Sequence, residues 1–173
     1  MGQLLFQQNI IASNEQITIN NGSISFFPFN IYDSLSLSVF NCLFLGSNAN
    51  KTVSLSIGLY SLNGSTLSLS NSISGTRSQS DNNVWYASMT ATSATQNITP
   101  GTWWFGILAS TGGNSSVAFI GQTKANAANA FPGGFIGGRM TASSNALPSS
   151  YATSDLDITG NDAMAVPMII LST

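Results

Sequence analysis

Apolar and polar residues alternate with a period of two along much of this chain, which predicts half-buried β-strands rather than amphipathic helices. Ile17 and Ile19 begin the alternation. After Asn20-Asn21-Gly22, a turn sequence, it resumes at Ile24 and Phe26 and runs to Pro28, where a strand is expected to end or bulge. Leu35, Leu37 and Val39 alternate with Ser34, Ser36 and Ser38 before the near-continuous run FNCLFL. That change predicts either one strand passing from a half-solvated to a covered environment or a bulge at Val39-Phe40. Val53, Leu55, Ile57 and Leu59, then Leu67 and Leu69 beyond Asn63-Gly64, predict a hairpin, because a type I′ turn needs positive φ at both central residues.

The stretch ITPGTWWFGILASTGG, Ile98 to Gly113, reads as a buried central strand launched by a type II turn at Pro100-Gly101. VWYASMTA before it, Val117 to Ile120 after it and AVPMIILST at the end supply further strands. Residues 1 to 16 are an arm, a first strand or a short helix, and 122 to 150, rich in Gly, Ala, Asn and Ser, read as a long surface excursion. About eight strands and no convincing amphipathic helix predict a single all-β domain over 1 to 173, an antiparallel β-sandwich of jelly-roll type.

Composition changes the picture at one point. Hydrophobic residues make up 43% of the 173 and charged residues only 6%, so the chain has the means to build a core but covers it with Ser, Thr, Asn and Gln. Such a surface lacks the charges that normally keep sheet edges apart, and it predicts a homo-oligomer. The ionisable side chains are Lys51, Arg77, Lys124, Arg139, Glu15, Asp33, Asp81, Asp155, Asp157 and Asp162, with no histidine and a net charge of -2. That excludes a basic footprint for nucleic acid. Cys42 lies among apolar residues and reads as a buried, inert thiol. No apolar run approaches the ~20 residues of a membrane-spanning helix, so no membrane insertion is expected, and MGQLLFQQNII lacks the charged start of a secretory signal.

Three motifs are candidates for chemistry. Trp85, Trp103 and Trp104 are the ligand-binding candidates, since aromatic faces accept the apolar face of a sugar; as neighbours on a strand, Trp103 and Trp104 must face opposite ways. One of them fills the core while the other meets a second layer, a subunit or a ligand. Phe131, Phe135, Arg139 and Met140, set among the glycine pairs of FPGGFIGGRM, are candidate subunit contacts because glycines admit a close backbone approach. The stretch from Ser154 to Gly160 opens like a calcium loop but has Val166 where a bidentate Glu is required, so no metal is assigned. Without histidine no Ser-His-Asp or Cys-His nucleophile can be assembled, and nothing draws two aspartates into a hydrolytic pair. No catalytic residue and no cofactor is expected.

The succession of SIGLYS, the Asn-Gly hairpin, TLSLS, VWYASMTA, ITPGTWWFGILAS, LPSSYATSD and VPMIIL resembles a recurrent β-sandwich domain of bacteriophage virion proteins over about Ile24 to Leu171. That family occurs in tail fibres, minor tail proteins and head fibres, and its usual form pairs an Ile-Gly-Ile-Tyr-type strand with a returning Pro-Gly-Thr-Tyr-Trp-type strand. No collagen-like, coiled-coil or tail-attachment segment is legible ahead of the domain. The resemblance implies a virion structural protein, trimeric, in contact with other virion proteins, serving as fibre head, tail component or capsid decoration. It also implies use in host attachment or as structural decoration, with receptor binding expected through loops at one end, 122 to 150 as the first candidate surface and a host cell-surface glycan as a candidate partner. The alternative is a free-standing carbohydrate-binding module or lectin.

Overall fold

In the computed structural model the alternating runs become strands: β1 (Glu15–Asn20), β2 (Ser23–Ile31), β3 (Leu35–Leu37), β4 (Val39–Leu45), β5 (Lys51–Asn63), β6 (Thr66–Gln79), β7 (Val84–Thr90), β8 (Gln96–Ile98), β9 (Gly101–Thr111), β10 (Ser116–Gln122), β11 (Gly138–Thr141), β12 (Ser150–Ala152), β13 (Val166–Pro167) and β14 (Ile169–Ser172). The structure describes residues 15–20, 22–37, 39–45, 51–79, 84–90, 96–111, 116–122, 138–141, 146–157, 166–167 and 169–172. Among them the helical content is one short turn, Thr153–Asp155. The described residues form fourteen strands where eight or so are expected, because strands of two to four residues are too short to show a period. Every pairing is antiparallel.

One six-stranded sheet, here the core sheet, runs in the order β11-β2-β9-β5-β6-β12. A second follows the path β1-β10-β4-β14, with β13 against β10 and β7 against β4, and β3 pairs β8 in a small third sheet. β9 lies between β2 and β5, as its bulky run predicts, and Trp104 to Ala109 are buried without a break. A strand covered on both faces has no need to alternate. One face of it meets Phe27, Phe29, Ile31, Leu55, Ile57 and Leu59, all at most 5% exposed. Phe29 and Phe105 stack there with ring centroids 4.1 Å apart.

The other face is built round glycine. Gly138, Phe26, Gly106 and Gly58 lie side by side on β11, β2, β9 and β5. A Cβ on Gly106 would stand 2.7 Å from Tyr60 and 2.9 Å from Phe26, and one on Gly58 2.6 Å from the same Tyr60 ring. The two glycines thus form a hollow that the Tyr60 and Phe26 rings fill, edge to face at 5.1 Å. Ile24, Leu67, Trp104, Leu108 and Leu156 complete this cluster. β12 pairs with the β6 edge, yet Tyr151 on β12 stacks over Phe26 at 6.0 Å, and Leu156 sits against Gly138 on the opposite edge strand. Edges that approach in this way require the sheet to curl, with the aromatic cluster inside the curl.

Several local expectations shift. β2 does not end at Pro28, which stays in register with Trp104. Among the described residues β11 pairs with Ser23 to Phe26 and nothing is paired to that side of β2 at Pro28, where a missing N–H costs no described ladder bond. The change of pattern after Leu37 marks neither a single strand nor a bulge but a change of partner: β3 pairs β8, whereas β4 pairs β7, β10 and β14. The Asn-Gly hairpin forms one residue later, with Asn63 opposite Thr66 and Gly64, at φ +60°, in the first central position. The described parts of 122 to 150 are not a free excursion, since 138–141 form β11 and Leu147 packs on the core cluster.

Gly106→Ala is expected to lower stability by about 2 kcal/mol through overpacking, measured by urea unfolding. Part of that loss should return when Phe26→Leu is added, because the ring edge that the new methyl meets is gone. Equal stability of Gly106→Ala and wild type would show that the rings are not fixed by the hollow.

Candidate functional site

The ladder of β2 and β9 does not stop at Ile31 and Gly101. It resumes at Leu35 and Ile98 in the small sheet, so that three residues, Tyr32-Asp33-Ser34, oppose two, Thr99-Pro100. Unequal lengths on two paired strands force a bend, as in a wide bulge. Pro100 removes a donor where no ladder bond is made, and Gly101 takes φ +146°, a conformation that side chains rarely adopt. This is not the φ near +80° of the type II turn expected from Pro-Gly. The dipeptide bends a continuing pair of strands round a corner instead of closing a hairpin.

Ile98 anchors the corner from within at 0% exposure, and Tyr32 stands on its outside at 83%. Trp103, half-buried, reaches back across the bend and donates from Nε1 to the Thr99 carbonyl at 2.9 Å. Its polar edge is thereby satisfied within the chain, and the exposed remainder of the ring is apolar. Two cross-strand hydrogen bonds flank the bend: Thr102 Oγ1 donates to Asn30 Oδ1 at 2.9 Å, and Ser36 Oγ donates to Asn97 Oδ1 at 3.1 Å. Both asparagines are exposed, and each keeps its side-chain N–H donors directed away from the bond just described. The Asn30–Thr102 bond lies on the face of the ladder that Trp104 occupies, opposite to Trp103, and Asp33 is exposed at the bend itself.

The candidates taken from sequence are not gathered into one place. Trp103 and Trp104 do face opposite ways, and Trp104 is the one that enters the core, at 1% exposure among Tyr60, Phe26 and Leu108, where it offers no surface for a ligand. Trp85 lies in the second sheet, on β7 opposite Phe44. Met140, a candidate subunit contact, packs instead against the core cluster of its own chain, because β11 is tied to β2. Arg139, on β11 beside Met140, stands opposite Ser25 of β2, and Phe131 and Phe135 lie outside the described residues. Ser154 donates to Asp155 Oδ1 at 3.1 Å inside the short turn that delivers Leu156 to the core, so this stretch serves packing. Tyr32 was missing from the sequence candidates. Its signal was a large aromatic in Tyr-Asp-Ser, immediately after the alternation of β2 ends.

Burial pushes the Tyr60 phenol well above its ordinary value of 10.0. It donates to the Pro148 carbonyl at 2.9 Å and so ties the 146–157 segment over the hollow. Because the folded state holds this proton more tightly than the unfolded chain does, the contribution is fully present below pH ~10 and is lost as pH rises above it. Urea unfolding from about pH 9 to about pH 11.5 should show stability falling above pH ~10. In Tyr60→Phe that fall should be shallower, after a loss at neutral pH of about 1 kcal/mol for the hydrogen bond. An identical fall in the variant would assign the pH dependence to other groups.

No protein-family model matches the chain, and no curated protein is significantly similar to it.

Proposed function

We propose that this chain is a bacteriophage virion structural protein, a β-sandwich domain of jelly-roll kind that assembles as a homotrimer and serves as fibre head, tail component or capsid decoration. The observation that carries the reading is the joining of antiparallel sheets with a surface nearly devoid of charge: ten ionised side chains in 173 residues. Outside a cell, a domain with one cysteine has no internal disulfide to rely on, and burial of one subunit's edges by another provides the missing stability. β7 (VWYASMT) and β14 (IILS) carry no charged residue at all, and β1 carries only Glu15.

The motifs behind the family resemblance also support the reading by their neighbourhood. SIGLYS lies in β5, TLSLS in β6 and the Gly-Thr-Trp-Trp run after Pro100 in β9, and these three are consecutive strands, β9-β5-β6, of the core sheet. LPSSYATSD follows as the segment that pairs with β6 and covers the glycine hollow. A second reading, a free-standing carbohydrate-binding module, is favoured by the exposed Tyr32 and the half-exposed Trp103.

Size-exclusion chromatography with light scattering is expected to give three times the 18.1 kDa chain mass, and antibodies to the purified chain should label the surface of phage particles that encode it. A monomer that binds glycans and labels no particle would establish the module reading in its place.

A further inference from the structure

We propose that Asn63, at the tip of the β5–β6 hairpin, is a self-modification site: its side-chain amide is lost to attack by the backbone nitrogen of Gly64, and the isoaspartate left behind unfastens the segment 146–157 that covers the glycine hollow. The inference is independent of how the chain assembles and of any ligand.

The chemistry needs only the chain and water. The Gly64 nitrogen forms a bond to Asn63 Cγ, the Cγ–Nδ2 bond breaks, and ammonia leaves with the proton that the Gly64 nitrogen gives up. Water then opens the five-membered imide. Cleavage at Cγ leaves an aspartate; cleavage at the main-chain carbonyl leaves an isoaspartate, in which the backbone runs through Cβ and Cγ. Either product adds one negative charge to a chain whose net charge is -2. No oxidation or reduction is involved.

Three features place this chemistry at Asn63. The first is the nucleophile. In any residue but glycine a Cβ beside the attacking nitrogen crowds the ring closure. Gly64 has none, is exposed at φ +60°, and has nothing within 4 Å of where a Cβ would stand. The second is the end of the ladder. Its last pair joins Asn63 to Thr66, so Gly64 and Ser65 are the turn residues and the Gly64 N–H lies beyond the last rung. Asn63 itself is exposed, so water reaches the imide and ammonia leaves.

The third is what holds the turn. Extended backbone at Asn63 keeps Cγ away from the Gly64 nitrogen, so ring closure requires the turn to loosen. That loosening is restrained from outside the hairpin: the Ser65 carbonyl accepts from the Thr153 N–H at 2.8 Å and from Thr153 Oγ1 at 3.0 Å. Thr153 is thus a clasp that slows the reaction. The same clasp is what isoaspartate breaks, because an extra backbone carbon ahead of Gly64 shifts the Ser65 carbonyl out of line with Thr153. The near part of the segment keeps the bonds from Tyr60 to Pro148 and from Leu69 to Ser149. Its far part, with Leu156 against Gly138, loses the anchor at Thr153.

The test is to age the intact protein in mildly alkaline buffer and map its peptides by mass spectrometry, with aspartate and isoaspartate resolved. Asn21-Gly22, the other Asn-Gly pair of the chain, is the internal comparison. Wild type should accumulate isoaspartate at residue 63, and Asn63→Gln, whose ring closure is six-membered, should not. Thr153→Ala should speed conversion at Asn63 about fivefold, the worth of one hydrogen bond, and leave Asn21 at its wild-type rate. Thr153→Ser, which keeps a hydroxyl, should convert as wild type does. Aged wild type should exchange amide hydrogens faster at residues 153 to 157 than aged Asn63→Gln. No isoaspartate at residue 63, after a synthetic peptide of residues 60 to 68 has converted fully, would overturn the site. An unchanged rate in Thr153→Ala, or an equal rise at Asn21 and Asn63, would overturn the clasp. Isoaspartate at residue 63 with unaltered exchange at 153 to 157 would overturn the release.

Discussion

Two glycines that face each other across neighbouring strands, Gly58 and Gly106, set the geometry on which the interior of the core sheet depends. Their missing side chains leave a hollow too shallow for solvent and the right depth for an aromatic edge. Phe26 and Tyr60 occupy it from either side, Tyr151 stacks on Phe26, and the Tyr60 hydroxyl reaches the Pro148 carbonyl. A large side chain at either glycine would push the rings outward, and the segment resting on those rings would lose its seat. The curl of the sheet and the path of residues 146–157 are consequences of the same vacancy.

From that hollow, order passes along β9 to the corner. Trp104 stands at the hollow's rim, one residue from Trp103, and strand alternation places the two rings on opposite faces. The packing that buries Trp104 therefore also fixes how Trp103 leaves the sheet, and the bond from its indole to Thr99 holds the bend at Pro100-Gly101.

Local pattern was enough to show where sequence neighbours pair. The run from Val53 to Leu69 specified the β5–β6 hairpin to within one residue, since both strands and their turn lie in one short stretch. The unbroken apolar character of Trp103 to Leu108 specified a strand covered on both sides. The opposition of Trp103 and Trp104 followed from the period of two. In each case the deciding physics acts over a few residues, through φ at a glycine or the alternation of a pleat.

What the chain folding in three dimensions added was the choice among distant partners. Ile24 pairs with Leu108 and Phe26 lies over Gly106, matches across some eighty positions that depend on which rings fit which hollow. Alternation is blind to such a fit, because it records that a residue is buried and not what it is buried against. The same blindness hid the change of partner between β3 and β4, the passage of β2 through Pro28 and the role of Met140 in its own core. It also hid the corner: Tyr32 and Trp103 are 71 positions apart, and only the unequal lengths of two paired strands bring them to one bend.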